Sequence, residues 1–80
     1  MTLDQLPLGQ AAVVTGVDKD ALGNVAARRL RAMGLDVGAS VELLHRGVLW
    51  SRDPLAIRLG RMTLGLRSVQ AAAISVEPAA

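Results

Sequence analysis

The chain has 80 residues, of which 51% are apolar, so it can build one small aliphatic core and has no room for a second domain. Cysteine is absent and histidine occurs once, which excludes disulfides, thiolate zinc sites and sites with several histidine ligands. Nine basic against seven acidic residues give a net charge of +2, which is typical of a mixed-charge soluble surface.

The first half of the chain predicts a strand followed by one short helix. β-branched residues predict the strand over 11–17. Over 22–33, apolar residues recur at the three- and four-residue spacing of a helix, and Asn24 is a good N-cap, so the helix begins there. Gly34 suits the left-handed position after the last turn, and Leu35 can fold back on the helix.

The second half alternates with the period of two that is typical of strands. Three segments show this alternation: 40–46, 55–59 and 62–67. The short link Gly60-Arg61 predicts a hairpin between the last two. Ser68 is a candidate cap for one helical turn, residues 73–77 predict a final strand, and 77–80 are expected to fray.

Short strands with antiparallel links dominate this pattern. The sequence therefore predicts a single domain over 1–80, mainly β with one short helix, that forms a small partly open β-barrel. The longest apolar runs hold about four residues, whereas a membrane span requires about 20, and the N-terminus lacks the basic and apolar regions of a signal peptide. We therefore expect a soluble cytoplasmic protein.

The residues needed for catalysis are largely missing. The only histidine, His45, lies on the apolar side of the 40–46 pattern, phosphate-binding glycine loops are absent, and the carboxylates are scattered. We predict no catalytic residue, no cofactor, no metal site and no small-molecule substrate, and hence no enzyme. Direct iron or zinc sensing through His45 and carboxylates is the weaker alternative.

The segment around the only aromatic residue is the strongest candidate for binding a partner. Trp50 follows Val48 and Leu49 between two predicted strands, and Arg52 adds a charge beside it. Trp and Arg are enriched among residues that dominate protein interfaces. Two interpretations stay open: Trp50 covers the aliphatic core, or it is exposed as an anchor.

Arginines in the strand region raise a second hypothesis, nucleic-acid binding by a small basic module. Five of them could share a surface: Arg46, Arg52, Arg58, Arg61 and Arg67. The hypothesis depends on Arg58, Arg61 and Arg67, but these are equally expected as outward residues paired with Glu42 and Asp53. Unpaired strand edges also allow a weak homo-oligomer.

Several segments follow one another as they do in a known family. They are Arg28-Arg29-Leu30-Arg31-Ala32-Met33-Gly34-Leu35, then Asp53-Pro54, then Met62-Thr63-Leu64-Gly65-Leu66-Arg67, and finally Ile74-Ser75-Val76. This order resembles the FeoA family over nearly the whole chain. Val37 stands where that family usually has Pro, and Arg52 where it usually has Gly.

The resemblance implies an SH3-like barrel and a small cytoplasmic accessory protein of bacterial ferrous-iron uptake. It implies one partner, the FeoB membrane transporter with its cytoplasmic G-domain, and action by docking or regulation rather than by catalysis. No catalytic residue comes with the resemblance.

Overall fold

The structure, a computed structural model, describes residues 1–47 and 53–79. Five strands form one antiparallel sheet: β1 (Ala11–Val17), β2 (Ser40–Arg46), β3 (Leu55–Leu59), β4 (Met62–Leu66) and β5 (Ile74–Pro78). Their order is β4-β3-β2-β1-β5, so within the described residues β4 and β5 are edge strands and the sheet is not a closed barrel. The mainly β architecture predicted from the sequence is confirmed.

Short helices precede or connect some of the strands. They are a 3-10 turn (Leu3–Gln5), α1 (Lys19–Leu22), α2 (Asn24–Ala32) and α3 (Ser68–Ala71). The expectation of one short helix is therefore met by α2, the longest, and the structure adds α1 and the 3-10 turn. The two predicted caps are wrong by one residue, because Gly23 and Arg67 occupy the N-cap positions.

The end of α2 has the predicted left-handed glycine cap. Gly34 has φ of 102°, a conformation that costs little without a Cβ. Its N–H donates to the carbonyl of Arg31 at 3.0 Å, and the N–H of Leu35 donates to the carbonyl of Leu30 at 2.9 Å. These two bonds form a Schellman motif, which turns the buried Leu35 back against the last turn.

The alternation in β2 is interrupted by a β-bulge. Leu43 pairs with Ile57, but His45 pairs with Ala56, so Leu44 is one extra residue on β2. His45 is consequently exposed, and its predicted place on the apolar face is wrong. The bulge reverses the side on which the following residue, Arg46, points.

The hairpin of β3 and β4 is confirmed, with Leu59 opposite Met62 across a two-residue turn. The last strand extends further than expected. Pro78 pairs with Ala12, and the N–H of Ala79 donates to the carbonyl of Ala11 at 2.9 Å. Most of the tail predicted to fray is therefore paired with β1.

The core is aliphatic and lies between the sheet, α2 and the N-terminal segment. Leu3 and Leu6 are fully buried, which explains why the segment before β1 is ordered against the sheet. Among the described residues no charged or polar side chain is buried. The other core residues are Ala12, Val14, Leu30, Leu35, Val41, Leu43, Leu55, Ile57, Leu59, Leu66, Ala71, Ile74 and Val76.

Candidate functional site

The predicted partner-binding residues, Val48, Leu49, Trp50 and Arg52, lie outside the described residues. The structure does describe both ends of the connection that carries them, which leaves β2 at Gly47 and enters β3 after Asp53. The geometry of these two ends is described below.

The two ends of the connection are held together by the backbone. Arg46 pairs with Leu55 at the end of the β2–β3 ladder, and the N–H of Gly47 donates to the carbonyl of Pro54 at 3.0 Å beyond it. The connection therefore starts and finishes at one point on the end of the sheet.

Arg46 ties the start of the connection to the N-terminal segment. Its Nη2 donates to the carbonyl of Leu6 at 2.6 Å and to the carbonyl of Asp4 at 3.3 Å. The arginine is half-buried, so it does not belong to an open basic surface. Hydrogen bonds from a charged donor are stronger than those between neutral groups, so this contact fixes β2 against the buried Leu6.

Asp53 ties the end of the connection to α3. Its carboxylate accepts a hydrogen bond from the backbone N–H of Ser68, the first residue of that helix. This bond, helped by the Ser68 side chain and the positive charge of Arg67, holds the pKa of Asp53 below its ordinary value against the opposing effect of burial. A carboxylate at this position also stabilises the amino end of a helix.

A groove lies between α2 and β4. It has a volume of about 170 Å³ and is lined by Ala26, Arg29, Leu30, Met33, Leu64, Gly65, Leu66 and Gln70. Its exposed wall is mixed, because Arg29 and Gln70 lie beside the apolar side chains. A concavity of this mixed kind suits both polar and apolar groups of a partner. The sequence analysis missed it, because it needs the packing of α2 on β4.

Two arginines on which the nucleic-acid hypothesis depends, Arg58 and Arg67, lie near carboxylates. Arg58 lies directly opposite Glu42 on the neighbouring strand, with Nη1 3.6 Å from Oε1. Arg67 is close enough to Asp53 to lower the pKa of that carboxylate. These pairings are the ones expected of outward residues, and they favour that interpretation over a nucleic-acid surface.

The described residues contain no group of three or more His, Asp or Glu side chains that could hold a metal ion. The exposed His45 is therefore not part of such a group in this part of the chain. None of the helices in residues 1–47 and 53–79 is long and apolar enough to cross a membrane.

The open antiparallel sheet with short helices defines a small, mainly β domain, of the architecture that a similar solved structure is described as having, an SH3 domain. The FeoA domain family matches residues 1–78, and the chain belongs to that family. The family and the fold predicted from the sequence are thereby confirmed.

Solved structures agree with this assignment. The solution structure of FeoA from Chlorobium tepidum is 34% identical with a TM-score of 0.88, and the match covers 100% of this chain and 71% of that one. Zinc-complexed FeoA from Stenotrophomonas maltophilia is 34% identical with a TM-score of 0.81, and the match covers 96% of this chain and 89% of that one. That protein is described as a prokaryotic SH3 domain protein and candidate ferrous iron transport activating factor.

Iron(II) transport protein A from Clostridium thermocellum is 27% identical with a TM-score of 0.82, and the match covers 98% of this chain and 45% of that protein. No curated protein matches the sequence.

Proposed function

We propose that this FeoA-family chain is a cytoplasmic accessory protein of bacterial ferrous-iron uptake, which regulates the FeoB membrane transporter by binding it and not by catalysis. The observation that carries the proposal is the match to the FeoA domain over residues 1–78. The likeness to the S. maltophilia protein, a candidate ferrous iron transport activating factor, supports it.

The anchored connection supplies the binding residues in this proposal. The backbone bond from Gly47 to Pro54, the contact of Arg46 with Leu6 and the bond of Asp53 to α3 all fix its base. A loop anchored at its base loses less conformational entropy on binding than a free one. Trp50, with Val48 and Leu49 beside it, then provides an apolar anchor, and Arg52 a charged rim.

A binding assay between this chain and FeoB in detergent tests the proposal. Trp50→Ala should weaken binding about 30-fold, because a buried interface tryptophan contributes about 2 kcal/mol or more. Val25→Ala, on the exposed face of α2, is the matched control and should bind like the parent chain. Circular dichroism on each variant shows whether the fold is retained.

The outcomes separate the partner from the site. If the parent chain does not bind FeoB, the partner is wrong. If Trp50→Ala binds as tightly as the parent, the connection is not part of the interface. A third variant, Leu64→Ala in the α2–β4 groove, then shows whether the groove is the surface that docks.

A further inference from the structure

A basic recess lies on the outer side of the helical layer, between α1 and α2. It has a volume of about 170 Å³ and is lined by Lys19, Asn24, Ala27, Arg28 and Arg31. None of these residues lines the α2–β4 groove or the base of the connection. The recess is therefore a separate feature of the surface.

The helix period and one glycine build this recess. Asn24, Ala27, Arg28 and Arg31 follow one another at i, i+3, i+4 and i+7, so they form one face of α2. Gly23, with φ of 85°, both ends α1 through its N–H to the Lys19 carbonyl and begins α2 through its own carbonyl. This sharp turn between the helices sets Lys19 beside that face.

Within the described part of the chain, two of the three cations of the recess lack a close ion-pair partner, although Asp18 and Asp20 flank Lys19 in the sequence. Across residues 1–47 and 53–79, neither Lys19 nor Arg28 has a carboxylate within 4.0 Å. Arg31 has one, with Nε 3.7 Å from Oδ2 of Asp36, but both side chains are more than half exposed. An exposed ion pair of this kind contributes little and is easily exchanged for another anion.

The amino end of α2 adds to this positive potential. No side chain caps it, and its first turn contains no acidic residue. Its unpaired N–H groups carry the positive end of the helix dipole, and Asn24, in that turn, is part of the recess wall. Cationic side chains and a bare helix end therefore act on the same space.

We propose that this recess binds a phosphate group. Two guanidinium forks, an ammonium and an amide offer more donors than the two oxygens of a carboxylate can use, whereas the oxygens of one phosphate can accept from several of them. The volume holds such a group together with a few waters. The phosphate is either that of a soluble monoester or the headgroup of an anionic phospholipid.

Titration of the isotope-labelled chain with inorganic phosphate, followed by NMR, tests the proposal. The amide signals of Gly23, Asn24 and Val25 should shift and saturate, while acetate at equal ionic strength should leave them in place. Arg28→Gln should weaken the affinity about tenfold, because a charge-assisted hydrogen bond is lost. Arg61→Gln, an equal change of charge in the exposed β3–β4 turn, should bind phosphate like the parent.

Sedimentation with vesicles identifies the source of the phosphate. If the ligand is a lipid headgroup, vesicles of phosphatidic acid in phosphatidylcholine should sediment with the parent chain and not with Arg28→Gln. If the ligand is soluble, inorganic phosphate should saturate the recess and the vesicles should not bind. Either result supports the proposal that the recess binds a phosphate group. Absence of both, an equal response to acetate, or an equal loss in Arg61→Gln overturns it. The assays use this chain alone, so they do not depend on its binding to FeoB.

Discussion

Replacement of Arg46 by methionine measures what the anchor between β2 and the N-terminal segment contributes. The variant keeps an unbranched apolar stem in the half-buried position and removes the guanidinium that donates to the Leu6 and Asp4 carbonyls at 2.6 and 3.3 Å. Folding then leaves these two carbonyls without their charged donor. The change therefore isolates the hydrogen bonds from the packing.

The distances set the expected magnitude. The 2.6 Å bond is a strong one from a charged donor, which contributes about 1.5–3 kcal/mol, and the 3.3 Å bond adds less. We expect a loss of about 2 kcal/mol in the free energy of unfolding. In a domain of this size that corresponds to a fall in Tm of about 8–16 °C. It is a large part of the roughly 4–12 kcal/mol that an 80-residue domain possesses.

Urea unfolding followed by circular dichroism provides the measurement. Arg61→Met is the matched control, since that arginine is exposed in a turn, and should change stability by less than about 0.5 kcal/mol. Arg46→Lys, which can keep one bond, should fall between the two. Hydrogen exchange should also quicken at the amides of Gln5 and Leu6, which bond within the N-terminal turn. Equal stability of Arg46→Met and Arg61→Met would refute the reasoning, and would mean that buried Leu3 and Leu6 alone hold the segment.

Two further predictions concern Asp53 and the glycines. Hydrogen bonding to Ser68 lowers the pKa of Asp53 in the folded protein. The stability that the Asp53 carboxylate gives to the fold is therefore complete above the ordinary pKa of 3.8 and is lost as pH falls through the lower folded-state pKa. Urea midpoints measured across pH should show Asp53→Asn less stable than the parent at neutral pH and equal to it in strong acid; a constant difference would contradict this. Gly34→Ala should lower the free energy of unfolding by about 1–2 kcal/mol in thermal unfolding, because φ is 102° there. Gly65→Ala is the control, since this residue has ordinary strand backbone and open space around it, and should be neutral or slightly stabilising. Equal effects of the two substitutions would exclude the conformational explanation.

Most of the sheet was predictable, from β-branched residues over 11–17 and from the period of two in the later strands. The segments 11–17, 40–46 and 55–59 have the same bounds in the sequence pattern and in the structure, and the alternation over 62–67 extends one residue beyond β4. The bulge at Leu44 was not predictable, because one inserted residue leaves no periodic signal and shows only in the pairing of two strands. α1 was missed for a related reason, since four residues are too few to display a helical period.

The candidate site was predictable only in part. The sequence indicates that the segment around Trp50 is the best candidate for binding a partner. The two interpretations of Trp50, as a cover of the core or as an exposed anchor, stay predictions. The anchors of the segment could not be found from the sequence. Arg46 acts on backbone carbonyls about 40 residues away, and Asp53 on an N–H that is 15 residues away. Contacts with the backbone are invisible in the sequence, because every residue type supplies the same carbonyl and N–H groups.

The pairing of β1 with β5 has a consequence for synthesis of the chain on the ribosome. β1 occupies residues Ala11–Val17, yet one of its two neighbours is Ile74–Pro78, and the carbonyl of Met1 also receives its bond from Val76. The edge of β1 therefore stays open until residues 74–78 have emerged. Contacts so distant in sequence close slowly, so the sheet is completed only after the segments between β1 and β5 have been synthesised. Truncation before residue 74 should leave an unpaired strand edge that is prone to association with other chains.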